Sequence, residues 1–163
     1  MPLFSPFQDN IQVVLKTLTD AQIKTLPSAA VDIVAAQGAN KVIIPVSVFC
    51  VLNNSAGGYT NLGTTTTAGW QLSGNDSIDL SSIAEVSTIL ANPGSYALNL
   101  LIPKAKVGGA TYTGEITCIS SALSDRSNLA LQLVDFWTDG GNYTGGNAAN
   151  TLKVYTYYAV VSL

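Results

Sequence analysis

The chain has 163 residues and a formal net charge of −3, and 47% of the residues are hydrophobic while only 10% are charged. Soluble domains usually carry about 25% charged residues, and like charge helps to keep protein surfaces apart, so we expect much of this surface to contact other protein. The seven basic residues are scattered, which argues against nucleic acid as a partner because phosphate binding needs clustered positive charge.

The first ten residues, MPLFSPFQDN, contain two prolines and show no hydrophobic period. We interpret residues 1–10 as an N-terminal arm and residues 11–163 as a single β domain. Phe4 and Phe7 of the arm need cover, which a neighbouring subunit can supply. The segment lacks the basic start and the apolar stretch of a signal peptide, so synthesis in the cytoplasm is expected.

The segment before residue 41 is predicted to hold two strands and one helical turn. Residues 11–18 are a strand candidate, and residues 30–36 alternate in polarity as a strand does. Between them, Thr19 or Asp20 is placed to cap a short helix that Pro27 ends.

The longest predicted strand spans residues 41–53, KVIIPVSVFCVLN. Pro45 cannot donate to a sheet ladder and therefore marks an edge position or a bulge. The apolar run in this strand is too short to span a bilayer, so no membrane association is expected. Cys50, and Cys118 further on, are interpreted as small buried hydrophobic residues rather than as a disulfide. Beyond Pro45, Val46, Val48, Cys50 and Leu52 share one face, and Ser47, Phe49 and Val51 share the other.

The rest of the chain is predicted to add one helix and several strands. Residues 81–91, SSIAEVSTILA, have apolar residues at three- and four-residue intervals and precede Pro93-Gly94, which favours a helix. Further strands are predicted at Trp70–Leu72, 95–103, around 116–119 after a glycine turn, 128–137 and 151–163. About eight short strands with one or two short helices indicate an all-β fold, and a jelly-roll-like β-sandwich is the expected architecture.

Residue types for catalysis are sparse. The chain contains no histidine, which removes imidazole-based nucleophile activation and imidazole metal sites. Two carboxylate pairs remain, Asp76 with Asp79 and Asp135 with Asp139, but neighbours along one loop seldom face each other across a cleft. Turn or cap roles explain them better. We therefore predict no enzyme activity, no metal and no cofactor, and keep a hydrolase that uses Asp135 and Asp139 as a third hypothesis.

Aromatic side chains are the main candidates for a binding surface. They can stack on sugars, or they can anchor a core or a subunit interface, and the core or interface role is preferred. The predicted interface residues are Phe4, Phe7, Trp70, Trp137, Tyr143, Tyr155 and Tyr157.

Two segments of the chain carry a pattern that goes beyond composition. Residues 18–61 match an opening of the form SAQIKAL…PV-LV-APG-GK through Ala21, Gln22, Ile23, Lys24, Leu26, Val31, Val34, Gly38 and Lys41. Residues 142–163 match an ending of the form F-GG-GTL-V-VYY-V-DL through Gly145, Gly146, Thr151, Leu152, Val154, Tyr157, Tyr158 and Val160. Together these blocks cover about two-fifths of the chain, and they resemble a family of small structural proteins of tailed-bacteriophage virions. The chain departs from the family pattern at residues 37–40, where it has Gln-Gly-Ala-Asn in place of Pro-Gly-Ala-Gly.

The resemblance implies a β-rich virion protein without catalytic residues, of the capsid cement, decoration or tail-associated kind. On this basis we expect a homo-oligomer, with a trimer favoured, that binds the phage major capsid protein on the outer surface of the head. The alternative expectation is a tail or baseplate module that binds host glycans through Trp70, Trp137 and Tyr143.

Overall fold

The computed structural model describes residues 11–62, 67–73, 84–85, 87–100, 106–107, 110–111, 128–135 and 141–163. In chain order, the elements of these ranges are β1 (Ile11–Thr19), α1 (Asp20–Thr25), β2 (Val31–Val34), β3 (Lys41–Asn53), β4 (Tyr59–Thr60), β5 (Thr67–Leu72), β6 (Ala84–Glu85), α2 (Ser87–Ala91), β7 (Ser95–Leu100), β8 (Lys106–Val107), β9 (Ala110–Thr111), β10 (Leu131–Asp135), β11 (Thr144–Gly145) and β12 (Thr151–Ser162). One four-stranded sheet has the order β1-β12-β3-β7 and the other β2-β10-β5-β6, while β4 with β11 and β8 with β9 form two short ladders.

Every paired neighbour in the described ranges is antiparallel. The prediction of an all-β sandwich with one or two short helices is therefore confirmed. Its likeness to a jelly roll stays a prediction, and so do the arm and the domain boundary, because residues 1–10 lie outside the described ranges.

The core fills the space between the two sheets. Leu18, Val154 and Leu52 of the first sheet and Leu131 and Leu72 of the second are at most 2% exposed, and all five belong to one cluster of buried residues. Full burial of such a side chain stabilises the fold by about 1.5–3 kcal/mol, so this shared core is what holds one sheet on the other.

The short helix α1 begins where the sequence predicted. Thr19 is the N-cap and accepts from the Gln22 backbone N–H, while the Gln22 side chain accepts from the backbone N–H of Thr19, which completes a capping box. Lys24 Nζ lies 2.6 Å from Asp20 Oδ2, one turn away. The caps and this ion pair allow a helix of only six residues to form at the end of β1.

The predicted long strand is present over its full predicted length, and Pro45 lies at a bulge. The pairing register between β3 and β12 shifts between Tyr157, which faces Ser47, and Tyr158, which faces Pro45. The extra residue on β3 is Val46, which is 44% exposed. Proline is tolerated here because a bulge interrupts the ladder to which its nitrogen cannot donate.

The prediction of a helix over residues 81–91 is wrong in its first part. Ala84–Glu85 forms β6, which pairs with Thr67–Ala68 of β5, and the helix is limited to Ser87–Ala91. Ala84 and Glu85 pair with a neighbouring strand although the spacing of apolar residues favours a helix, because this spacing carries no information about which strands lie nearby. The end of α2 agrees with the predicted stop at Pro93. The centre of the strand predicted around residues 116–119 lies outside the described ranges.

Cys50 is a free thiol and 3% exposed, as expected of a small buried hydrophobic residue, whereas Cys118 lies outside the described ranges. Burial raises the pKa of Cys50 to about 12. Within the described ranges, no helix has the length and apolar character needed to cross a membrane.

Candidate interaction surface

The last strand, β12, lies at the centre of the first sheet, between β1 and β3, and carries large side chains on both of its sides. Its inner side carries Val154 and Thr156, both 0% exposed, and Tyr158, 8% exposed, which face the second sheet. Its other side carries Tyr155 and Tyr157. Tyr157 is 41% exposed, so the second sheet does not cover this side of the strand.

The strand register extends this uncovered side across three strands. Leu15 of β1 lies opposite Tyr155, which lies opposite Phe49 of β3. Further along, Val13 lies opposite Tyr157, and Ile11 lies opposite Ala159, which in turn faces Ile44. We call this surface the outer face and define it by Ile11, Val13, Leu15, Ile44, Phe49, Tyr155 and Tyr157.

Large apolar side chains on the outer face remain accessible to water in the isolated chain. Val13 is 57% exposed, Leu15 52%, Ile11 and Ile44 42%, and Phe49 37%. Single exposed apolar residues are common on protein surfaces, but a contiguous group on neighbouring strands marks a site of interaction with another molecule.

Two aromatic side chains stand at the middle of the outer face. The rings of Phe49 and Tyr155 have centroids 6.0 Å apart and planes inclined by 46°. This distance lies within the range in which aromatic pairs attract each other. The pair therefore presents two mutually ordered rings to any partner, and such aromatic anchors often dominate the free energy of binding at an interface.

Beyond one end of the outer face, the same side of the sheet becomes mostly polar. The row beyond Leu15 consists of Thr17, Lys153 and Val51, and the next row consists of Thr19, Thr151 and Asn53. Lys153 is the one charged residue in these five rows of β1, β12 and β3. The surface thus grades from an apolar half into a polar border, without a cluster of charge of either sign.

A separate group of buried polar residues, Asp20, Tyr59 and Asn150, joins α1 to the loop before β12. Burial raises the pKa of Tyr59 to about 12, and the nearby Asp20 carboxylate adds to this effect. Gly146 adopts φ +68°, and a Cβ at this position would lie only 2.5 Å from Asp20 Oδ1. We assign this close-packed group a structural role in holding α1 against the loop.

The predicted site residues separate into three groups. Tyr155 and Tyr157 lie on the outer face, as described above. Trp70 and Tyr143 are 3% and 4% exposed and belong to the core cluster, so these two side chains offer little surface to a second subunit or to a sugar. Phe4, Phe7 and Trp137 lie outside the described ranges.

Burial of Trp70 and Tyr143 identifies them as core residues, the other role that the sequence left open for aromatic side chains. Tyr143 packs on Tyr59, with ring centroids 6.4 Å apart and planes inclined by 54°. The hypothesis of a glycan platform at Trp70, Trp137 and Tyr143 therefore loses two of its three rings.

Sequence reasoning missed Ile11, Val13, Leu15, Ile44 and Phe49 as surface candidates. The available signal was the presence of apolar residues on both sides of residues 11–18 and 41–53, which a strand with one solvated side does not need. No group of three or more histidine, cysteine, aspartate or glutamate residues that could hold a metal ion occurs in the ranges that the structure covers.

No family model and no curated protein matches the chain. Among solved structures, the chain is similar to a chain of the cyanophage Pam1 capsid asymmetric unit, with 13% sequence identity and a TM-score of 0.42 over 98% of this chain and 99% of that chain. At this level of similarity no family is assigned.

Proposed function

We propose that this protein is a structural component of a tailed-phage virion. Its specific role is that of a capsid cement or decoration protein, made in the host cytoplasm, that oligomerises and binds the major capsid protein on the outer surface of the head. The mechanism is passive. The protein stabilises the shell by burying surface against its neighbours, and it carries out no chemical reaction.

The outer face is the observation that carries this proposal. An isolated chain that leaves Val13 and Leu15 more than half exposed keeps apolar area in contact with water at a cost of about 25 cal/mol per Å². Association with another protein surface removes this area from water. A protein whose function is to be built into an assembly accounts for such a surface directly.

The two segments that resemble phage virion proteins also support the proposal, because they meet in the fold. Residues 18–61 contain β3 and β4, and residues 142–163 contain β11 and β12. β3 pairs with β12, and β4 pairs with β11. The resemblance therefore includes two pairs of neighbouring strands, and β3 and β12 are two of the three strands of the outer face.

The low charge of the chain favours an assembly role as well. A virion lattice presents many copies of the same site, so each contact can be weak while the whole array is held firmly through avidity. Seven basic and ten acidic residues among 163 give little electrostatic repulsion between copies brought close together on such a lattice.

The test is binding to capsids that lack this protein. Purified protein is mixed with such capsids and the fraction that sediments with them is measured. We expect saturable co-sedimentation of the wild-type chain and of Ala36→Glu, a control at an exposed loop position, and we expect weaker binding of Leu15→Glu. Failure of the wild-type chain to sediment with capsids at a large molar excess would contradict the proposal.

A further inference from the structure

We propose that the outer face is covered by a second copy of this chain. This inference rests on the proposed function and names the partner of its principal surface. The Phe49–Tyr155 pair lies at the centre of the contact, and Val13, Leu15 and Tyr157 pack around it.

The distribution of charge favours an identical copy as the occupant. Lys153 is the one charged residue in the five rows of β1, β12 and β3, and it lies in the polar rows beyond Leu15. Two outer faces can therefore meet over their apolar rows without placing like charges together. A strongly acidic or basic partner would find no complementary patch on this surface.

The size of the outer face, together with the polar rows beside it, suits a weak association between copies. Strands are spaced ~4.8 Å apart and rise ~3.3 Å per residue, so β1, β12 and β3 over the nine residues of β1 present roughly 430 Å² of projected area. Two such faces give roughly 860 Å², which is below the ~1,200 Å² at which specific, stable interfaces begin and within the range of weak or transient contacts.

The packing chemistry is that of a sandwich formed between subunits. Two sheets stack face to face about 10 Å apart with their strands within about 30° of each other. An apolar centre with aromatic anchors and a polar border is the usual arrangement of a protein interface. The outer face and the two rows beyond Leu15 together have this arrangement, and those two rows carry threonine, asparagine and lysine.

The free edge of β1 is the competing route to self-association. β1 pairs only with β12 among the described strands, so its other edge could add a strand from a second copy. Lys16, however, lies on β1 opposite Val154, on the core side of the sheet. A charged residue that points inward from an edge strand is a known means of discouraging edge-to-edge pairing. The observations thus favour contact between two outer faces over strand pairing at the free edge of β1.

The test is the mass of the isolated chain in solution, measured by light scattering over a dilution series. We expect the wild-type chain and Ala36→Glu to form the same oligomer. Leu15→Glu and the milder Leu15→Ser are expected to raise the dissociation constant about tenfold or more, since each removes a buried leucine from the contact. Circular dichroism of each variant checks that the fold is retained. A dimer, or a larger oligomer built from such dimers, supports the inference, provided that folded Leu15→Ser and Leu15→Glu weaken it. A trimer overturns it, because two identical faces that meet form a two-fold contact.

The inference is overturned if the wild-type chain is a monomer at every concentration, or if its oligomer is unchanged by both substitutions. These outcomes are separate from those of the capsid test. A monomer that binds capsids would refute self-association and leave the proposed binding to the capsid standing. An oligomer that dissociates on substitution of Leu15 but does not bind capsids would refute the proposed function and leave the present inference standing.

Discussion

The rings of Phe49 and Tyr155 are packed against each other, 6.0 Å apart, on the solvent side of a sheet whose opposite side forms the core. The two residues are separated by more than one hundred positions in the sequence and are brought together by the register of β3 and β12. Their neighbours Val48 and Val154 point the other way and are buried. The pair thus exists only because these two strands lie side by side in this register.

We predict that Phe49 and Tyr155 stabilise each other. In a double-mutant cycle of Phe49→Ala, Tyr155→Ala and the double variant, the coupling in the free energy of unfolding should be about 0.5–1.5 kcal/mol. Urea unfolding, performed at a dilution where the chain is monomeric, measures it. Additivity of the two single substitutions would show that the rings do not interact in solution.

Asn54 is predicted to be far less replaceable than its neighbour Asn53. The Asn54 side chain is 0% exposed, its Nδ2 donates to the carbonyl oxygens of Ile89 and Leu90 at 3.0 Å, and its Oδ1 accepts from the backbone N–H of Gly94 at 3.0 Å. Asn54→Ala leaves these buried and part-buried groups unpaired and should lower the free energy of unfolding by about 1–3 kcal/mol or more.

The exposed Asn53 provides a matched control for Asn54. Its Oδ1 accepts from Ser55, but water can replace this contact, so Asn53→Ala should change the free energy of unfolding by less than about 1 kcal/mol. Thermal and urea unfolding of both variants measure the difference. Equal destabilisation by the two substitutions would contradict the role assigned to Asn54.

Gly58 is predicted to tolerate no side chain, whereas the adjacent Gly57 does. A Cβ on Gly58 would overlap the backbone carbonyl of Ala91, while a Cβ on Gly57 would have its nearest neighbour, the carbonyl oxygen of Gly146, at 3.5 Å. Gly58→Ala must displace α2 and should cost about 1–3 kcal/mol. Gly57→Ala should be close to neutral. Unfolding midpoints test both, and a stable Gly58→Ala variant would mean that α2 can move away.

Stability is predicted to fall at alkaline pH through Cys50. Burial raises the pKa of its thiol from 9.0 to about 12, so between these values the folded chain keeps a proton that the unfolded chain has lost. The stabilising effect is complete below pH 9 and is lost as the pH rises towards 12. Urea unfolding from neutral pH upwards should show this decline, and Cys50→Ala should show a shallower one. Identical slopes for the two chains would contradict the prediction.

Several features of the fold could be read from local sequence because their causes are local. Thr19 followed by Gln22 three residues later forms the capping box of α1, and Pro45 within a long apolar strand produces a bulge. The boundaries of β3 follow from a continuous run of strand-forming residues between two turns. Composition also set the expectation of a low-charge surface.

Local sequence did not reveal which side of each strand faces the core. Residues 11–18, 41–53 and 151–163 are apolar on both sides, so alternation shows that two sides exist but not which one meets the second sheet. Only the order β1-β12-β3-β7 and its register decide that Val154 is buried while Tyr157 is 41% exposed. The same long-range packing buried Trp70 and Tyr143 and drew Ala84–Glu85 into a strand, because burial depends on which segments meet across the core and not on their neighbours in sequence.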